Sequence, residues 1–262
     1  MTEPLRLGSV EMIIGRAANM LGLSISRTDS KLERFPVEAS EADRAIVRSV
    51  HPITMTSAER VWSLLQAVRY VTDEQIPGAF AECGVWRGGS VVAMVLKLAE
   101  LRVADREIWL YDTFEGMTAP TANDIEASTG KSAHQLMSST EVGDGNNVWA
   151  FASQQDVEQN LSATGYPMER FHLIKGDVAQ TLLTQFPAQI ALLRLDTDWN
   201  ESTRLGLEIL YPRLAVGGVC ILDDYGHWQG ARKAVDEYFE GLGIRPLMHP
   251  IDYSGRVFIK TR

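Results

Sequence analysis

An apolar run breaks off in acid at "LLRLDTDWNEST", the stretch beginning at Leu192, where Asp196 and Asp198 stand one residue apart with a tryptophan next. "GVCILDD" ends the same way, in Asp223 and Asp224. If these runs are neighbouring parallel strands, Asp196, Asp223 and Asp224 converge, and three carboxylates repel unless a cation lies among them. Oxygen-only ligation suits Mg2+ or Ca2+, completed by water or substrate oxygens, and no His/Cys set favours zinc. Such a cation polarises a substrate hydroxyl, stabilises developing alkoxide and orients it toward an electrophile. Asp196 is also a candidate general base. His227, in "DDYGHW", is a second candidate base, with packing or hydrogen bonding as its alternative role. The competing reading of Asp223 or Asp224 is capping of the helix near Gln229.

A second set of residues surrounds "AECGVWRGGS", Ala81 to Ser90. Gly84 permits a tight turn, and Gly88 and Gly89 permit close approach of backbone to a ligand or of helix to strand. The spacing is neither that of dinucleotide dehydrogenases nor that of a Walker loop; a plain strand–helix connection is the alternative. Asp112, closing "REIWLYD", is suited to accept hydrogen bonds from both ribose hydroxyls of an adenosine. Glu82 is suited to the amino group of an amino-acid-like cofactor. Together they fit S-adenosylmethionine, which has no phosphates to cradle.

The elements that must position these groups are strands alternating with amphipathic helices, hence a mostly parallel sheet with helices on both faces. "GAFAECG", "REIWLYD", "RFHLIKGD", "IALLRLD" and "GVCILDD" read as strands one to five, and the tail as two more around a Ser-Gly turn. A helix is expected over about 57–70, with Val61, Leu64, Leu65 and Val68 on one face and Thr56 or Ser57 as its cap. Others are expected over about 201–214, closed by Gly217-Gly218, and over about 229–242, with Gly243 beyond. Ligands of such sheets lie beyond the carboxyl ends of the strands, and Asp112, Asp177, Asp196 and Asp223-Asp224 all fall there. Helix capping is the alternative for any one of them. The polar stretch 117–147 reads as a lid-like insertion on that side. The chain divides near residue 55, giving an N-terminal helical segment, 1–55, and a catalytic domain, 56–262.

With 262 residues, a net charge of −9, 45% hydrophobic and 23% charged residues, the chain fits one large globular α/β unit. The acidic balance argues against nucleic acid as a partner. Cys83 and Cys220 are too few for a disulfide framework or a structural zinc site. The N-terminal "LRLGSVEMIIGRAANMLGL" is broken by Glu11 and Arg16 and reads as an amphipathic helix. No membrane span or signal peptide is expected, and the protein is expected to be cytoplasmic.

"FAECGVWRGGS", "YDTFEGM", "LLRLDTDWNEST", "LYPRL", "GGV" and "DDYGHWQGARKAVDEYF" together resemble the macrocin O-methyltransferase family, from about Thr54 to the C-terminus. Its members are bacterial enzymes that methylate sugar hydroxyls in antibiotic biosynthesis, using S-adenosylmethionine and a divalent metal. The resemblance implies a Rossmann-like class I methyltransferase fold with a seven-stranded sheet. It implies metal ligation by Asp196, Asp223 and Asp224, and a cofactor on Glu82, Cys83, Gly84, Val85, Trp86, Gly88, Ser90 and Asp112. It places Gly176, Asp177 and Ser153 near the adenine, and brings Thr54 and Met55 close to the cofactor. It further implies a homodimer or higher homo-oligomer, with N-terminal segments helping to close the site. The first fifty-odd residues and the stretch after "YDTFEGM" depart from the antibiotic enzymes, so the acceptor stays open: a sugar on a natural product, a glycolipid or a polysaccharide.

Two rivals use the D-x-D at Asp196 and Asp198. A haloacid-dehalogenase-like phosphohydrolase places that motif on strand one with Thr where this chain has Asn200. A metal-dependent glycosyltransferase leaves the glycine turn and Asp223-Asp224 unexplained. A non-catalytic cofactor-binding protein would have lost the acids that this chain retains. Asp198 is expected to support the turn or helix that follows rather than a metal. Trp199 is expected to pack against the cofactor edge or the helix, and Trp86 and Trp149 line a pocket or plug a gap.

Overall fold

A computed structural model describes residues 35–142 and 148–262. The expected N-terminal amphipathic helix lies outside the described residues, as does the end of the 117–147 insertion. Seven strands form one sheet: β1 Ala79–Cys83, β2 Ile108–Asp112, β3 Phe171–Lys175, β4 Ile190–Leu195, β5 Leu214–Leu222, β6 His249–Pro250 and β7 Arg256–Ile259. Their order is β3-β2-β1-β4-β5-β7-β6. The first five run parallel, while β7 is antiparallel to β5 and β6 antiparallel to β7.

The two faces follow from alternation along the strands. Phe80, Ile108, Leu110, Leu192, Val219 and Ile221 face one core, shared with helices α1 Glu41–Val50, α2 Ala58–Asp73 and α3 Gly89–Glu100. Ala81, Cys83, Leu193, Leu195, Cys220 and Leu222 face the other, where the later helices α7 Asn200–Leu210 and α8 Gln229–Gly241 pack. Helix α3 is buried over most of its length, as a helix apolar all round must be. Its one central charge, Lys97, is wholly buried and answered by Asp43 of α1 at 2.6 Å and by Glu100 at 2.7 Å. Ser57 caps α2, and Val61, Leu64, Leu65 and Val68 lie on its buried face.

Two expectations need correction. Gly217-Gly218 does not close the helix after strand four. That helix stops at Leu210, where Pro212 sits in a single 3-10 turn and cannot continue it. Both glycines instead lie inside β5, where a Cβ on Gly218 would come within 2.9 Å of the Ala191 carbonyl oxygen. The insertion is also more built than a polar lid. It contains helix α4 Ala133–Ser138, whose Ala133 and Met137 join Trp199, Trp228 and Ala231 in a small core. Asp124, wholly buried, accepts the Asn200 amide at 2.7 Å. It thereby caps α7, whose own preceding residue, Trp199, offers no capping side chain. The remaining short helices are α5 Gln154–Ser162 and α6 Val178–Thr181.

Candidate active site

The register of the sheet assembles the site. Glu82 on β1 lies opposite Arg194 on β4, and Arg194 opposite Ile221 on β5. Side chains two residues on share a face, so Gly84, Asp196 and Asp223 follow at the carboxyl ends. The ends are locked by backbone bonds of 2.9 Å, from the Asp196 amide to the Cys83 carbonyl and from the Asp223 amide to the Leu195 carbonyl. Gly84 has a φ of +82°, and a Cβ there would stand 1.7 Å from the Asp196 carbonyl oxygen. Only glycine tolerates both conditions.

One carboxylate oxygen each from Asp196, Asp223 and Asp224 lies within 4.8 Å of the others. The expectation that only an added cation could relieve their repulsion is corrected here, because two guanidiniums are already present. Arg194, almost fully buried inside β4, reaches Glu82 at 2.6 Å, Asp223 at 2.7 Å and Asp196 at 2.8 Å. Arg60 on α2 pairs with Asp223 and, at 2.9 Å, with Asp252. Burial works against both charges, but the surrounding carboxylates hold them protonated. Asp196 and Asp224 are nevertheless pushed well above the ordinary carboxylate range, by burial first and then by their neighbouring acids. The donor set, three carboxylates that each offer an oxygen to one point, suits a hard divalent cation.

Asp198 does not join this set. It turns at φ +60°, its amide donates to Asp224 Oδ2 at 3.0 Å, and its carboxylate accepts the Trp228 indole N–H at 2.6 Å. It supports the turn, while support of the α7 N-terminus falls to Asp124. Trp199 packs edge-on against Trp228 and donates to the Thr118 carbonyl at 3.0 Å, so it holds the insertion.

Two cavities meet at these acids. The smaller, about 640 Å3, is lined by Gly84, Trp86, Asp112, Gly176 and Asp177 among others. The larger, about 1180 Å3, is lined by Arg60, Glu126, His227, Trp228 and Tyr253 together with Asp223 and Asp224. Met55, Ala150, Asp196 and Asp198 belong to both walls. Asp112 is drawn into its own turn. Its carboxylate accepts the amides of Val85 at 2.7 Å, Trp86 at 3.0 Å and Phe114 at 2.7 Å, holding the glycine loop in shape. Burial outweighs these bonds and raises its pKa. Glu82 is buried against Arg194, its other oxygen, Oε2, has no partner, and burial lifts it to about 7. An unanswered buried acceptor fits an incoming ammonium group.

Glu82 lines neither cavity, and the same holds for Thr54, Cys83, Val85, Gly88, Ser90 and Ser153. Thr54 accepts the Thr56 amide, and its side chain backs onto Gly89. Cys83 is buried in the opposite core, which pushes its thiol up. Val85 and Ser90 are buried, and Gly88 sits at φ +83° before α3. Ser153 caps α5. In the larger cavity His227 Nδ1 lies 3.1 Å from the Tyr253 hydroxyl, and burial holds the imidazole below its ordinary value. Sequence reasoning missed Arg60, Arg194, Glu126 and Tyr253. The two arginines had a signal, a charge within an apolar stripe, but no local mark of their partners.

A sequence model described as macrocin-O-methyltransferase (TylF) matches residues 17–260. A demethyldecarbamoylnovobiocin O-methyltransferase of Streptomyces niveus is 32% identical over 209 residues, 80% of this chain and 76% of the relative. A mycinamicin III 3''-O-methyltransferase of Micromonospora griseorubida is 30% identical over 221 residues, 84% of this chain and 83% of the relative. The solved structure of the O-methyltransferase NovP superposes with a TM-score of 0.70 at 26% identity, over 97% of this chain and 98% of that one. The calicheamicin methyltransferase CalS11, at 18% identity and a TM-score of 0.57, shares the fold over 99% of this chain and 98% of its own.

Proposed function

The chain belongs to the macrocin O-methyltransferase family and is an O-methyltransferase with that family's Rossmann-like class I fold; from that premise we propose that it moves the methyl group of S-adenosylmethionine to a sugar hydroxyl of a natural product, with Mg2+ bound. The observation that supports this reading is the meeting of two cavities at Asp196, one behind the glycine turn and one under the insertion. The donor belongs in the first, with Glu82 toward its amino group and Asp112 at the ribose side. The acceptor belongs in the second. Relatives acting on novobiocin and mycinamicin precursors support a glycosylated acceptor.

Asp196, Asp223 and Asp224 would hold the cation, which lowers the cost of developing negative charge on a hydroxyl oxygen. Asp196, at the junction, is placed to take the hydroxyl proton. Arg194 and Arg60 keep the acids in register and limit their mutual repulsion. The D-x-D rivals lose support because Asp198 is committed to Trp228. We place the catalytic domain at 56–262 and expect a homo-oligomer, which light scattering measures. Calorimetry of S-adenosylmethionine and its demethylated product, with and without Mg2+, tests the reading: micromolar binding supports it, and no binding under either condition overturns it.

A further inference from the structure

Three polar side chains from distant parts of the chain meet in the larger cavity. Glu126 comes from the insertion, His227 from the loop after β5, and Tyr253 from the turn between β6 and β7. The imidazole stands between the other two, with Nδ1 3.1 Å from the Tyr253 hydroxyl and Nε2 3.6 Å from Glu126 Oε1. Glu126 is itself fixed. Its Oε2 accepts the Thr129 hydroxyl. Its amide donates to the Lys131 carbonyl at 2.9 Å, and the next amide, of Ala127, donates to the His227 carbonyl at 2.8 Å. The insertion is thus bridged to the His227 loop by backbone, and Oε1 is left facing the ring.

We propose that Tyr253 is the residue that recognises the acceptor in this cavity, through a hydroxyl other than the one methylated, and that Glu126 acts through His227 to hold the phenol ready for it. The proposal rests on the larger cavity being the acceptor site. At 3.6 Å the Glu126 carboxylate is beyond hydrogen-bond reach, but its charge favours the ring proton on the facing Nε2. Nδ1 is then bare and accepts the phenolic hydrogen. The Tyr253 oxygen therefore turns its lone pairs outward, and its side chain stands largely exposed on the cavity wall. An outward acceptor reads a donor. It takes a free hydroxyl and rejects a deoxy or already methylated position, which has no hydrogen to give. His227 has Nδ1 taken by the phenol and Nε2 turned toward Glu126 in this arrangement, so it is a positioning residue and the phenol makes the contact.

Long-range 1H–15N spectra of the full-length protein report the His227 tautomer without any acceptor. The expected wild-type state carries hydrogen on Nε2, and Glu126→Gln is expected to mix the tautomers. A wild type with hydrogen on Nδ1 overturns the proposal. Steady-state kinetics with methyl α-L-rhamnopyranoside and its monodeoxy analogues test the contact. Tyr253→Phe is expected to raise KM for the parent glycoside about tenfold, with kcat and cofactor affinity within about twofold. One monodeoxy analogue is expected to lose that difference between wild type and variant. Unchanged KM in both Tyr253→Phe and Glu126→Gln overturns the proposal. A wild type with the expected tautomer that binds the cofactor but methylates no glycoside overturns the acceptor reading instead.

Discussion

At the scale of single residues, the site depends on contacts with no slack. Gly84→Ala puts a methyl group into the Asp196 carbonyl and demands a left-handed backbone of an L-residue. We expect it to lose more than about 3 kcal/mol of stability, read as the urea midpoint, together with cofactor binding. Asp224→Asn removes one of the charges at the cluster while keeping an oxygen that can still accept the Asp198 amide. It should fold normally by circular dichroism yet bind Mg2+ at least about tenfold more weakly in calorimetry; undiminished affinity would remove Asp224 from the ligand set. The acids and the glycine turn were legible in the sequence because each ends an apolar run. Arg194 was not, because a buried guanidinium has no local pattern: its partners Glu82 and Asp223 are 112 and 29 residues away.

At the scale of elements, strands and most helix ends were readable from alternation and caps, and the failures share a cause. Gly217-Gly218 read as a helix stop because nothing local distinguishes a close backbone crossing from a cap. The insertion read as polar loop because its buried residues, Ala133, Met137 and Asp124, are scattered and find their partners on other elements. Asp124→Ala strips the cap from α7 and one latch from the insertion. We expect cleavage within 117–142 by a limiting protease to speed up about tenfold, with the sheet intact. Helix α1 is held differently, by the buried Lys97. Burial opposes ionisation of Asp43, but the Lys97 hydrogen bond and charge outweigh it and lower the pKa. The folded value lies below the unfolded one, so this stability is present above the ordinary carboxylate pKa and is lost as pH falls through the folded value, below about pH 4. Urea midpoints measured across that range should fall more steeply for the wild type than for Asp43→Asn.

At the scale of the whole molecule, one line of ion pairs crosses the site: Glu82, Arg194, Asp223, Arg60 and Asp252. It ties strand one to the last hairpin, and Asp252 also accepts the Ser57 hydroxyl at 2.9 Å. Asp252→Ala should cost about 1–3 kcal/mol in urea unfolding and loosen Tyr253 with it; a loss below about 0.5 kcal/mol would show that the line carries no shared stability. The same line sets an order in time. A chain is made N-terminus first, so Arg60 emerges long before residue 252, and until then the acids left to it among the described residues are Asp223 and Asp196 of the site itself. Strands one to five can be in place while the hairpin that fixes Arg60 and carries Tyr253 is still unmade. If Tyr253 selects the acceptor as proposed, that competence is among the last properties a new chain acquires, and a product broken off in helix α8 would have the acids of the cluster while lacking Tyr253 and Ser254 of the wall that faces them.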